Sequence, residues 1–129
     1  MHTFTQPYTY INLTQHRASK EQIEQGVVDL CEEDREKLIE LLTFDSLPRW
    51  WESELDTRAI KIVDILFSKK ENCLGKAMLG GAPYLMSLLE DRLKKVGIEP
   101  FYAFTKRVVE EKDGVKTSTF KHLGFVGTR

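Results

Sequence analysis

The hydrophobic pattern changes period several times along the chain, and each change marks an element. Tyr8, Tyr10, Ile11 and Leu13 make a short β-rich run, with Pro7 just before it, where a strand tolerates proline. The run ends among Asn12, Thr14, Gln15 and His16, four side chains that hydrogen-bond. Ser19-Lys-Glu-Gln22 then spells a capping box. Its serine hydroxyl accepts from the Gln22 N–H, and the Gln22 side chain reaches back. A short helix follows, with Gly26 as its C′ residue. Val27, Val28 and Leu30 predict a brief second strand. Residues 32–42 read as a helix with Leu38, Ile39, Leu41 and Leu42 on its apolar face. Acidic residues fill its first turn, where the helix dipole favours them.

The stretch TFDSLPRWWES breaks the pattern. Leu55, Ala59, Ile62, Val63, Leu66 and Phe67 then recur at helical spacing and predict a long helix over about 53–70. Residues 73–79 suit another strand, which Gly80-Gly81 ends. Residues 83–96 predict a third long helix, with Leu85, Leu88, Leu89, Leu93 and Val96 inward and Gly97 closing it. Residues 98–111 give the clearest strand signal. Asp113-Gly114 is a two-residue hairpin signal, and 115–126 returns antiparallel.

Strands alternating with helices imply parallel pairing and right-handed crossovers. The expected fold is α/β: a Rossmann-like three-layer sandwich. Its sheet is mainly parallel, with a C-terminal antiparallel hairpin. At 129 residues, a single domain over 1–129 is the natural reading.

Composition narrows the function classes. Hydrophobic residues make up 41% and charged residues 30%, as in ordinary soluble domains. A net charge of −1 gives no reason to expect long nucleic acid as a partner. No apolar run reaches the length of a membrane span. The N-terminus MHTFTQPY lacks the regions of a signal peptide. Cys31 and Cys73 have no motif spacing and read as reduced thiols of a cytoplasmic protein. GxGxxG, P-loop, paired-cysteine zinc and GxSxG motifs are all missing from the sequence. Carboxylates fall on helix surfaces, so neither cofactor nor metal is expected.

In sheets of this kind, ligands bind outside the carboxyl ends of the strands. That rim collects Asn12, Thr14, Gln15 and His16 from the first strand. It also collects Gly80, Gly81 and Ala82 from the next, and Thr105, Lys106 and Arg107 from the long strand. Counting back from the Asp113-Gly114 turn puts Val109 opposite Ser118, Arg107 opposite Phe120 and Thr105 opposite His122. In GGAPYLM, Pro83 suits the first helical position, and Ala82 is a poor N-cap. The N–H groups of Tyr84 and Leu85 are therefore left to an outside partner, and with two glycines they suit a phosphate. Plainer readings stand beside these. Asn12 and Gln15 serve the backbone of their own loop, and Trp50-Trp51 packs its loop on the core rather than stacking a base.

The stretch FYAFTKRVVEEKDGVKTSTFKHLGFV resembles the C-terminal hairpin of the small ring-nuclease-like proteins with a CRISPR-associated Rossmann fold, or a related phage or bacterial family. There a YATT-x-R strand runs into VVEE, a DG turn and K-x-S-x-F-x-H. The opening strand with its Thr/His turn and EQ helix is similar too, as is the glycine loop before YLM. The likeness covers about two thirds of the chain and skips 30–73.

The resemblance implies a homodimer that binds cyclic oligoadenylate, the messenger of type III CRISPR immunity, and linearises it without a metal. An adenosine 2′-OH attacks the adjacent phosphate and leaves a 2′,3′-cyclic phosphate. It implies Thr14, Gly80, Gly81, Tyr84, Thr105, Ser118 and His122 for the ligand. Lys106 or Arg107 would stabilise charge, and His16 would orient groups or move protons. The chain departs from the family's basic HVRFR ending, reading HLGFVG instead. Two other readings stay open: a nucleotide sensor or sponge without turnover, and a structural or interaction protein of phage origin.

Overall fold

A computed structural model describes residues 9–67 and 75–128. Its elements are β1 (Tyr10–Leu13), α1 (Lys20–Glu24), β2 (Val27–Val28), α2 (Glu32–Leu42), α3 (Trp51–Phe67), β3 (Lys76–Leu79), α4 (Pro83–Lys95), β4 (Glu99–Lys112) and β5 (Val115–Gly127). The expected positions Pro7, Tyr8, Cys73 and 68–70 lie outside the described residues. The strands form one sheet in the order β2-β1-β3-β4-β5. β2, β1, β3 and β4 run parallel, and β5 is antiparallel to β4. The fold is thus mixed α/β, with a mostly parallel sheet and an antiparallel C-terminal pair.

Local chemistry accounts for the element ends. The capping box of α1 forms as its sequence dictates, with both reciprocal bonds present. α3 begins at Trp51, earlier than its apolar spacing indicates. The Trp50 carbonyl accepts from the Glu54 N–H at 2.9 Å, and Glu52 and Glu54 place negative charge in the first turn. Two inward positions are corrected: Phe67 is 52% exposed at the end of α3, and Val96 is 44% exposed just after α4.

Strand alternation divides the sheet into two unequal faces. Ile11, Leu13, Ala77 and Leu79 meet α2, α3 and α4 through Leu38, Ile62, Leu85, Leu89 and Leu93. This is the main core. Arg92 ties α4 to α3 by holding both carboxylate oxygens of Asp56 at 2.9 Å. The opposite face holds Tyr10, Val27 and Met78, with Phe101, Ala103 and Phe125 against them. Its helix, α1, has only 5 residues and buries none of them. The sheet closes this face by curling. Tyr10 on β1 stacks on Phe125 of β5 with ring centroids 4.0 Å apart, although β3 and β4 lie between their strands.

β3 pairs with β4 only from Lys76↔Glu99 to Leu79↔Tyr102. Beyond Tyr102, the two last strands stand past the sheet as a ribbon. Asp113 (φ 54°) and Gly114 (φ 79°) both take the left-handed turn conformation that an Asp-Gly pair supplies. Counting back from this turn gives Val109↔Ser118, Arg107↔Phe120 and Thr105↔His122, as the sequence indicates. The register shifts next, because Phe104 pairs with Gly124 and leaves Leu123 as the extra residue of a bulge.

Candidate functional site

The chain leaves β1 towards β2 on one side and returns to β3 on the other. Between β1 and β3 the loops diverge, which leaves a crevice at their carboxyl ends. A cavity of about 450 Å³ opens there, lined among others by Thr14, His16, Arg17, Gly80, Gly81 and Tyr102.

The first wall is built by Asn12. Its side chain is fully buried on the curled face. Its amide nitrogen donates to the His16 carbonyl at 2.7 Å and to Asp29 Oδ1 at 2.8 Å. Its oxygen accepts from the Thr14 N–H at 2.9 Å and the Thr14 hydroxyl at 2.7 Å. Asp29, just after β2, also accepts from the Ala18 N–H at 3.0 Å. Together these bonds clamp residues 14–18 in one shape and leave the His16 side chain exposed at the cavity. Gln15, also exposed, donates to the Thr43 hydroxyl at 3.2 Å.

The second wall is the β3–α4 turn. A Cβ built on Gly80 would lie 3.2 Å from the Thr14 methyl, so glycine lets the two loops approach. Ala82 provides no side-chain cap to α4. Leu85 N–H is nevertheless satisfied, donating to the Ala82 carbonyl at 3.0 Å, which corrects the expectation that it was spare. Among the described residues, the Tyr84 N–H has no such backbone partner. Tyr102 also lines the cavity, and its hydroxyl donates to Glu90 at 2.6 Å. Burial first, then Glu90, push its phenol well above the usual range.

Of the residues expected at the site, the structure brings Thr14, His16, Gly80 and Gly81 to this cavity. Thr105, Lys106, Arg107, Ser118 and His122 sit on the β4–β5 ribbon and do not line it. The Arg107 Nε donates to the Ser118 hydroxyl at 2.6 Å, and Lys106 pairs directly opposite Lys121. Tyr84 lines a neighbouring cavity. The cation at the site is Arg17, a residue the sequence reading passed over although it follows His16 directly. Glu32 holds it with both carboxylate oxygens and raises its pKa further. Asp29 was missed as well. No local motif marks it, since its role arises only when β2 pairs with β1. Among the described residues, no group of three or more His, Cys, Asp or Glu side chains is placed to hold a metal ion. No helix among them is long and apolar enough to cross a membrane.

His122 is buried on the curled face. Its Nε2 lies 3.1 Å from Gln25 Oε1, and among the described residues Nδ1 has no partner. Burial pushes its pKa below the ordinary 6.5, and Glu21 partly opposes this. The unfolded chain therefore takes up a proton that the folded chain resists. The stability from this group is present above about pH 6.5 and is lost as pH falls through the lower folded value. In urea midpoints measured from neutral to mildly acidic pH, His122→Gln is expected to flatten that loss. An unchanged pH slope would contradict the assignment.

The structure thus defines an α/β protein with a cavity at the switch point of a curled sheet. The chain belongs to the Uncharacterized protein MJ1673 family, whose model matches residues 8–126. No curated protein and no solved structure matches it.

Proposed function

We propose that this cavity binds a cyclic oligoadenylate of type III CRISPR signalling and opens it by metal-independent phosphodiester transfer. One observation carries the reading. The cavity joins His16, Arg17 and the Gly80-Gly81 turn at the strand switch point, and α4, which has no side-chain cap, starts directly after that turn. Such a place suits an anion through backbone N–H groups and the helix dipole. In the reaction, a 2′-OH gives up its proton and attacks the neighbouring phosphorus. The bond to the 5′-oxygen breaks, and that oxygen takes a proton. The products are a 2′,3′-cyclic phosphate and a free 5′-hydroxyl. His16 is the residue for the proton transfers, and the turn is the cradle for the phosphate oxygens. In this reading the fold is a Rossmann-like three-layer sandwich with α1 as its thin layer. The protein is a cytoplasmic homodimer.

A second reading, binding without turnover, is supported by the cations. Arg17 is engaged by Glu32, and Lys106 and Arg107 lie outside the cavity. Incubation with cyclic tetra- and hexaadenylate, with and without chelator, separates the two. We expect linear products ending in 2′,3′-cyclic phosphate, unaffected by chelator. His16→Ala should cut the rate by about a hundredfold or more. Tight binding of intact rings would favour a sensor or sponge. Intact rings with no binding would exclude both.

A further inference from the structure

In the segment TFDSLPRWWES, Phe44 packs against the main core, but the other large apolar side chains lie at the surface. Leu47 is 91% exposed, Trp50 74% and Trp51 59%. Trp50-Trp51 is thus corrected from a packed loop to a surface pair. A cavity of about 890 Å³ lies beside it, lined among others by Phe44, Leu47, Arg49, Trp51 and Tyr84. That is the size of a small-ligand site.

Its back wall is fixed. The Phe44 ring meets Tyr84 edge-on, with centroids 5.4 Å apart. The Arg58 guanidinium lies 4.1 Å from the Phe44 centroid and donates to the carbonyls of Leu41 and Thr43 at 2.8 Å. The exposed Trp51 and Tyr84 rings and the Arg49 side chain line the rest of the cavity. Rigid aromatic faces with a cation beside them suit a planar, electron-rich group attached to an anion. Tyr84, which lines this cavity, is close in sequence to Gly81, which lines the other one. It stands three residues after Gly81, so at most ~10 Å of chain separates the two walls. That is the reach of one nucleotide from phosphate to base.

We infer that the Phe44–Trp51–Tyr84 cavity is a nucleobase subsite, stacking a base whose phosphate lies at the Gly80-Gly81 turn. The inference rests on the proposed phosphate site for its anchor, and on this second cavity for the base.

The protein offers its own probe. The chain has 2 tryptophans, Trp50 and Trp51, both on this patch, so tryptophan emission reports here alone. Titration with adenosine 5′-monophosphate and with adenosine should quench it. Ribose 5-phosphate should bind, by competition, without quenching. Tyr84→Ala, an exposed position, should weaken the nucleotide about tenfold and leave ribose 5-phosphate unchanged. Equal affinity for ribose 5-phosphate and the nucleotide, with no quenching, would overturn the subsite and spare the phosphate reading. Quenching by adenosine with no binding of ribose 5-phosphate would keep the subsite and remove the phosphate reading. Absence of binding by any of the three would overturn both.

Discussion

Asn12→Asp is expected to destabilise the fold by about 3–5 kcal/mol at neutral pH. The native amide is fully buried and satisfies two acceptors and two donors around it. A carboxylate keeps the acceptor side and loses both donors. It also sets a negative oxygen against Asp29 Oδ1, where the native contact is 2.8 Å, and against the His16 carbonyl, at 2.7 Å. Two acceptors then face a charge with no proton between them. The like charge raises the new carboxyl's folded pKa above its unfolded value. The deficit is therefore full above that raised value and narrows as pH falls through it. Asn12→Ala lacks the repulsion and should cost less, about 2–3 kcal/mol, with little pH dependence. Urea unfolding at neutral and acid pH would measure both. Equal losses for the two variants at neutral pH would show that repulsion plays no part.

Leu85→Ala is expected to cost about 3–4 kcal/mol, a large share of the 5–15 kcal/mol typical of a whole domain. Leu85 is 0% exposed in the first turn of α4, beneath the candidate phosphate site. Its removal leaves a cavity that α2, α3 and the sheet can fill only in part. Leu88, partly buried on the same helix, should cost less than half as much. Urea midpoints with an unchanged m-value are the measurement. Similar losses at the two positions would mean that the core relaxes around α4.

The sequence carried those parts of the molecule that depend on near neighbours. The α1 capping box, the Asp113-Gly114 turn and the pairing out to Thr105↔His122 are all short-range. The grouping of Thr14 and His16 with Gly80 and Gly81 was also legible. Strand ends of a parallel sheet share one rim, and this needs only the alternation of strands and helices. Placing Lys106 and Arg107 there failed for a geometric reason. The cavity ends where β3 ends, and β3 is 4 residues long against 14 for β4. Nothing in the β4 sequence marks where its partner stops. Asp29 and the Tyr10–Phe125 stack were hidden because both depend on distant strands meeting. Trp50 and Trp51 misled because aromatic residues are usually covered, whereas here a cavity lies beside them.

The strand order also has a meaning in time. β4 and β5 meet across a two-residue turn, where Lys112 pairs with Val115. β1 gains its β3 neighbour only when Ile11 reaches Ala77, across α1, β2, α2 and α3. Closing the longer loop costs on the order of 3 kcal/mol more chain entropy. The ribbon is cheap to form from local contacts, on the microsecond scale of hairpins. The crevice between β1 and β3 must wait for the most distant pairing in the sheet. Assembly is therefore least costly from the two edges of the sheet inwards, and the candidate site belongs to its final step.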